Sequence, residues 1–173
     1  MNALKLTGLG LLLSLTLWAC GYQMAGRGSS QLPPHLKTIA IPLFENVSTE
    51  PTIQRPFTEA ARRAFITDGR LRLVNNKGGA DLVITGTLTK YWIRAVAFDT
   101  NDVAIEYWVY IEADVLVQDQ VKNQVYLKQT LKTRWEYLAN DSVITSEVSR
   151  QEALTQTYRV LSQRLVSLVN DKF

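Results

Sequence analysis

Cys20 is the only thiol in a chain of 173 residues, so its sulfur has no partner for an internal disulfide. A second group of residues with usable chemistry lies between positions 90 and 136. Lys90, Arg94, Lys128, Lys132 and Arg134 supply cations, and Trp92, Trp108, Tyr110 and Tyr126 supply aromatic faces. Ammonium and guanidinium groups bind phosphates and acidic sugars through charge-assisted hydrogen bonds. Aromatic rings pack on sugar faces or against a protein wall. The same cations also suit ordinary sheet pairing, in which Lys128, Lys132 and Arg134 face Glu106, Glu112 and Asp114 across a hairpin at about 0.2–1 kcal/mol per pair. The parts of an enzyme do not come together. His35, the single histidine, stands in a proline-rich stretch without the partners that a metal site or a catalytic triad needs. Gly78-Gly79 is not followed by the Gly-Lys-Ser/Thr of a phosphate loop, and no nucleophile–base pair has a useful spacing. The reading is therefore of a non-enzyme with neither cofactor nor metal.

The residues in front of Cys20 say what its sulfur is for. Lys5 is followed by an uncharged apolar run from Leu6 to Trp18, the order of a secretory signal peptide. That run is shorter than the roughly 20 residues that a helix needs to cross a bilayer. Leu17-Trp18-Ala19-Cys20-Gly21 resembles the bacterial lipobox, although Trp18 is larger than the residue usual at its position. Cleavage after residue 19 and acylation of Cys20 are the expectation. Each buried methylene contributes about 0.8 kcal/mol, and two or more chains make an anchor that one chain does not. In enterobacterial lipoproteins an Asp after the cysteine implies retention at the inner membrane, so Gly21 implies the outer membrane, with the domain on its periplasmic face.

Loss of residues 1–19 leaves about 150 residues, the usual size of one domain, which buries enough surface to fold without disulfide or metal. The formal charge of +3 is too small to imply a nucleic acid partner. Residues 20–35 are rich in Gly, Ser and Pro and read as a lipidated tether, and 36–173 as a single periplasmic domain. Lys37–Phe44 reads as a buried strand in which Pro42 marks the end or an edge position, and 45–52 as a loop. Ile53, Phe57, Ala61, Ala64 and Phe65 recur at helical spacing up to Gly69, with Pro56 in the first turn. Three long strands follow. The first, 81–98, slips phase near Lys90-Tyr91, as a bulge would cause. The second, 104–119, puts Tyr107, Val109, Ile111, Ala113, Val115 and Val117 on one face and Trp108, Tyr110, Glu112 and Asp114 on the other. The third, 125–137, places Val125, Leu127, Leu131 and Trp135 inward, and Tyr126, Lys128, Thr130, Lys132, Arg134 and Glu136 outward. A capping-box spacing at Ser149–Glu152 marks the start of a last helix, whose first turn can lie as early as Ser146, with a stripe of Leu154, Tyr158, Leu161, Leu165 and Leu168. The fold expected is α+β: a two-layer sandwich with two amphipathic helices on one face of a mainly antiparallel four-stranded sheet.

Cys20-Gly21-Tyr22, Leu32-Pro33, the run Lys37-Thr-Ile-Ala-Ile-Pro-Leu-Phe-Glu-Asn46, the helix after Glu50-Pro51 and the strand Asp81-Leu-Val-Ile-Thr-Gly86 together resemble the LPS-assembly lipoprotein family LptE. The resemblance covers the whole chain in the order and type of its elements. It implies a lipoprotein that plugs and helps assemble the LptD β-barrel and assists lipopolysaccharide insertion at the outer leaflet, with lipopolysaccharide as a partner and direct contact to it left open. It does not place the family's lipid-contacting cations at single positions here. The alternative left open by the residues is an accessory lipoprotein of another envelope machine, a pilotin or a lipid-transport auxiliary.

Overall fold

Apolar residues flank a helix whose length decides the direction of the chain on its far side. β1 (Thr38–Ala40) is buried throughout, and the chain then climbs through α1 (Gln54–Asp68) and returns first as β3 (Arg72–Leu73) and then as β4 (Leu82–Phe98). A helical crossover brings the next strand back parallel, and β3 does pair parallel with β1, Thr38 opposite Arg72, as does β4 on the other side, Ile39 opposite Leu82. In this computed structural model residues 32–139 and 142–171 are described. The chain divides into two units, Met1–Ser30 and Gln31–Phe173. The expected leader, Cys20 and residues 21–31 of the tether lie outside the described residues.

With β2 (Glu45–Asn46), β5 (Ala104–Asp119) and β6 (Gln124–Leu138), the sheet has six strands in the order β3-β1-β4-β5-β6, β2 lying on the flank of β4. β5 and β6 form an antiparallel meander with β4. β2 and β3 run parallel to β4 and β1. The four-stranded, mainly antiparallel sheet expected from the sequence is thus corrected to a mixed sheet of six. β2 and β3 are two residues long, too short to show any alternation, and β2 falls within the segment read as loop.

α1 follows its signals closely. Pro56 sits in the first turn, and Gly69 closes the helix at φ 73°, its N–H bonded to the Phe65 carbonyl. α2 (Val143–Asn170) starts earlier than the capping-box spacing suggested, so Ser149 lies inside the helix and Ser142 occupies the cap position without a side-chain bond. The core between helices and sheet joins Ile39, Phe44, Phe57, Phe65, Ile84, Leu88, Ile111, Leu131, Leu161 and Leu165. Phe44 and Phe57 meet edge to face at 4.9 Å, a geometry that adds about 0.5–1.5 kcal/mol to burial. Gly86 makes this possible. A Cβ there would land on the Phe44 ring and 2.8 Å from the Asp114 carbonyl.

Segment 32–35, read as tether, touches the domain. Leu32 packs against the core. His35 Nε2 lies 2.9 Å from Oδ2 of Asp119, which is 2% exposed at the end of β5. One element along, the Asp81 carboxylate accepts from the N–H groups of Lys37 and Thr38 and from the Thr38 hydroxyl. Those donors, Lys37 N–H first, hold Asp81 below the ordinary carboxylate range.

Candidate functional site

Side chains alternate across a strand, so antiparallel register alone sets which residues share the sheet face turned away from the helices. Three rows cross that face over β4, β5 and β6. The first is Lys90–Glu112–Lys132, the second Trp92–Tyr110–Arg134 and the third Arg94–Trp108–Glu136. The pairing shifts between Leu88 and Lys90. Thr89 is therefore the bulged residue, within two positions of the phase slip read from the sequence, and it brings Lys90 to the outer face.

Glu112 is the hub of the first row. Its two carboxylate oxygens each lie 3.2 Å from a lysine Nζ, Lys90 on one side and Lys132 on the other. Burial by its neighbours pushes the Glu112 pKa up, but hydrogen bonds from Lys132 and Lys90 outweigh this and hold it below its ordinary value. In the second and third rows the rings form a ladder. Trp92 and Tyr110 stack with centroids 4.6 Å apart and planes 3° from parallel. Trp108 meets Tyr110 edge-on at 6.1 Å. The Arg134 guanidinium carbon sits 3.9 Å above the Trp108 ring, a cation–π contact in which the planar cation keeps its outer N–H donors free for a further acceptor.

Lys90, Arg94, Lys132, Arg134, Trp108 and Tyr110 are thus gathered on one face as the alternation indicated. Of the carboxylate pairings considered, Lys132–Glu112 is present. Arg134 turns to an aromatic ring instead. Lys128 stands opposite Leu116, at the border of a hollow formed with Lys77, Thr87 and Asp114, and Asp114 accepts from the Thr130 hydroxyl at 2.6 Å.

Tyr126 is the exception. The pairing jumps from Val117–Leu127 to Gln118–Val125, so Tyr126 is the extra residue of a bulge. It swings to the helix side, buried, with its hydroxyl donating to the Val169 carbonyl at 3.0 Å. Val125, expected inside, is left 57% exposed. Tyr126 therefore leaves the outer-face group and belongs to the core. Strict alternation misplaced it because one inserted residue inverts every side chain before it.

With the face laid out, its likeness to known proteins can be stated. The family model LptE, Lipopolysaccharide-assembly, matches residues 36–169. The chain belongs to the LptE family. Among solved structures, an uncharacterized lipoprotein B from Nitrosomonas europaea is similar at 15% identity, over 88% of this chain and 92% of that one, with a TM-score of 0.58. The rare lipoprotein B from Shewanella oneidensis is similar at 9% identity, over 75% and 94%, with a TM-score of 0.53. The PelC dodecamer from Paraburkholderia phytofirmans is similar at 11% identity, over 82% and 95%, with a TM-score of 0.56. At such identities the likeness shows the fold alone. No curated protein matches the chain.

A polar cluster on the helix side of this LptE-family domain was not singled out from the sequence. Arg150 of α2 binds Glu147 one turn earlier at 2.7 Å, Glu50 of the loop before α1 at 3.2 Å and the Tyr91 hydroxyl at 2.8 Å. The Arg150 and Gln151 donors draw Glu147 down to about 2. The Glu147/Arg150 spacing on a helix was visible; the partners from residues 50 and 91 were not, because only the fold brings them there. The cluster ties α2 to the loop before α1 and to β4 and satisfies its own charges, which makes it structural.

Proposed function

We propose that the domain is the soluble part of an outer-membrane lipoprotein, anchored by acyl chains on Cys20, that plugs and helps assemble an LptD-like β-barrel and assists lipopolysaccharide insertion at the outer leaflet. Membership of a lipopolysaccharide-assembly family supports this reading, and the observation that carries it to particular residues is the cation–aromatic face of β4, β5 and β6. A polar barrel lumen suits a face built of Lys, Arg, Glu, Trp and Tyr. Lipopolysaccharide presents phosphates and acidic sugars, which match Lys90, Arg94, Lys132 and Arg134, with Lys128 at the border, while Trp108 and Tyr110 offer stacking surfaces. The role is stoichiometric, with no bond made or broken.

The test is to isolate the full-length protein from gently solubilised native membranes and identify what comes with it. An LptD-like barrel in near-equal amount supports the reading. A secretin or transporter subunit in its place overturns it in favour of a pilotin or another accessory lipoprotein. For the face itself, Arg134→Ala is expected to weaken lipopolysaccharide binding by about fivefold to tenfold, the loss of one charge-assisted contact. Arg134→Lys keeps the charge but loses the flat stacking cation, and is expected to recover only part of the affinity.

A further inference from the structure

Beyond Tyr91, β4 has a partner on one side only. β1 covers Leu82–Val83 and β2 covers Thr87–Leu88. The flanking chain then makes two last contacts, Val47 N–H to the Leu88 carbonyl and the Thr49 hydroxyl to the Tyr91 carbonyl. Among the described residues, no strand lies alongside Trp92–Phe98 on that edge. Tyr91 aims its carbonyl at the open side, so alternation turns the N–H and C=O of Ile93 and Ala95 the same way. Trp92 and Arg94 direct theirs to Tyr110 and Trp108 in β5.

The two edges of the meander differ in chemistry. β6, the other edge, bears Lys128, Lys132 and Arg134, is bent by the bulge at Tyr126, and has the Lys132 carbonyl taken by Arg164 at 3.4 Å. Charges and bulges of this kind block pairing with a further strand. The β4 edge Trp92-Ile-Arg-Ala95 has one charge, no proline and unbroken register with β5, and the pairing shifts only beyond Ala95. Trp92, Ile93 and Phe98 are exposed. Arg150 reaches the Tyr91 hydroxyl, so the earlier turns of α2, with exposed Val143, Ile144 and Val148, run on past Tyr91 and add apolar surface at this end.

We infer that the open edge of β4 at Trp92–Ala95 is a strand-addition site for an extended segment of another polypeptide, with apolar residues at alternate positions and an acidic residue facing Arg94. Only an extended backbone satisfies donors and acceptors that recur at the strand repeat. Arg94 joins no ion pair among the described residues, and an opposite charge directly across a ladder is favourable where a like charge is not. That excludes the simplest self-pairing: two copies joined antiparallel through Ile93 and Ala95 set Arg94 against Arg94.

A capped peptide alternating valine with threonine around one central glutamate serves as probe on the full-length protein, and the test involves neither barrel nor lipopolysaccharide, so its outcome is separate from that of the proposed function. The glutamate peptide should bind saturably and slow hydrogen exchange at the Ile93 and Ala95 amides. The same peptide with lysine at the centre should bind about fivefold to tenfold more weakly, and Arg94→Glu should reverse that preference. Backbone N-methylation of the peptide should abolish binding. Ala95→Pro removes an outward N–H without touching the β5 ladder, a position where an edge strand tolerates proline, and should abolish binding while melting like the parent. Should that variant not fold, the N-methylated peptide and the Arg94→Glu reversal still decide. Absence of saturable binding, or binding indifferent to N-methylation, overturns the proposal. So does concentration-dependent dimerisation of the protein that protects the same amides, since the edge then belongs to a second copy.

Discussion

Glu112 shows how a charge between two others decides what its neighbours can do. Lys90 and Lys132 each stand 3.2 Å from its carboxylate, so neither lysine is a free cation until a competing anion offers more than Glu112 does. A phosphate that draws Lys132 away must displace a cross-strand pair of an exposed lysine with a buried carboxylate, and such pairs contribute about 0.2–1 kcal/mol. A double-mutant cycle of Glu112→Gln with Lys132→Met should return a coupling energy of about that size in urea unfolding. Glu112→Gln should also strengthen the binding of phosphorylated ligands on this face, because both lysines lose their internal anion. A titration with a lipid A analogue reads this, and weaker binding would place Glu112 itself among the ligand contacts. Arg134 is different, since its partner is a ring and not an acid; it can meet an anion without giving up an ion pair.

At the scale of elements, two of the sheet's register shifts set which side chains reach the face. The one at Thr89 brings Lys90 outward, and the one at Tyr126 turns an aromatic residue into the core. The phase slip in β4 was legible because apolar residues lie on both sides of it. In β6 the slip falls near the strand start, where Val125 and Tyr126 both look apolar and the pattern has too little length to tell them apart. A close approach of another kind holds the helix layer to the sheet at Gly86. Gly86→Ala should cost about 1–3 kcal/mol, the usual penalty of overpacking a filled core, seen as a lowered denaturant midpoint at unchanged slope. Phe44→Leu in the same background should recover part of the loss, since it removes the ring that the new methyl meets.

For the whole molecule, acid should be the condition that loosens the structure. Asp81, Glu112 and Asp119 are all held below their ordinary values. Asp81 owes this first to the Lys37 N–H. Burial pushes Asp119 up, and the bonds from His35 and from the Lys122 N–H more than offset it. A carboxylate whose folded pKa is depressed adds stability that is complete above its unfolded value and is lost as pH falls through the folded one. The ordinary values are 4.5 for Glu112 and 3.8 for the two aspartates. Melting temperature should therefore fall from about pH 4.5 downward, and Asp119→Asn should flatten part of that decline. A melting temperature unchanged down to about pH 3 would show that these pairs contribute nothing to folding. The fold also appears in a PelC dodecamer, so architecture alone does not choose the partner; the surface chemistry must.

α1 with its Gly69 stop, the three long strands and the apolar stripe of α2 were written locally, in spacings of two and of three to four residues that need no distant partner. So was most of the outer face, because alternation along β5 and β6 fixes the side on which Trp108, Tyr110, Lys132 and Arg134 emerge. Only the tertiary structure decided the rest. β2 and β3 exist because β4 and β1 offer them hydrogen bonds, not because two residues can signal a strand. The parallel start of the sheet depends on a crossover, and Lys90–Glu112–Lys132 depends on register between strands far apart in sequence. The Arg150 cluster and the His35–Asp119 contact join residues 100 and 84 positions apart. The open edge at Trp92–Phe98 is likewise a property of where β2 stops, which no periodicity along β4 can record.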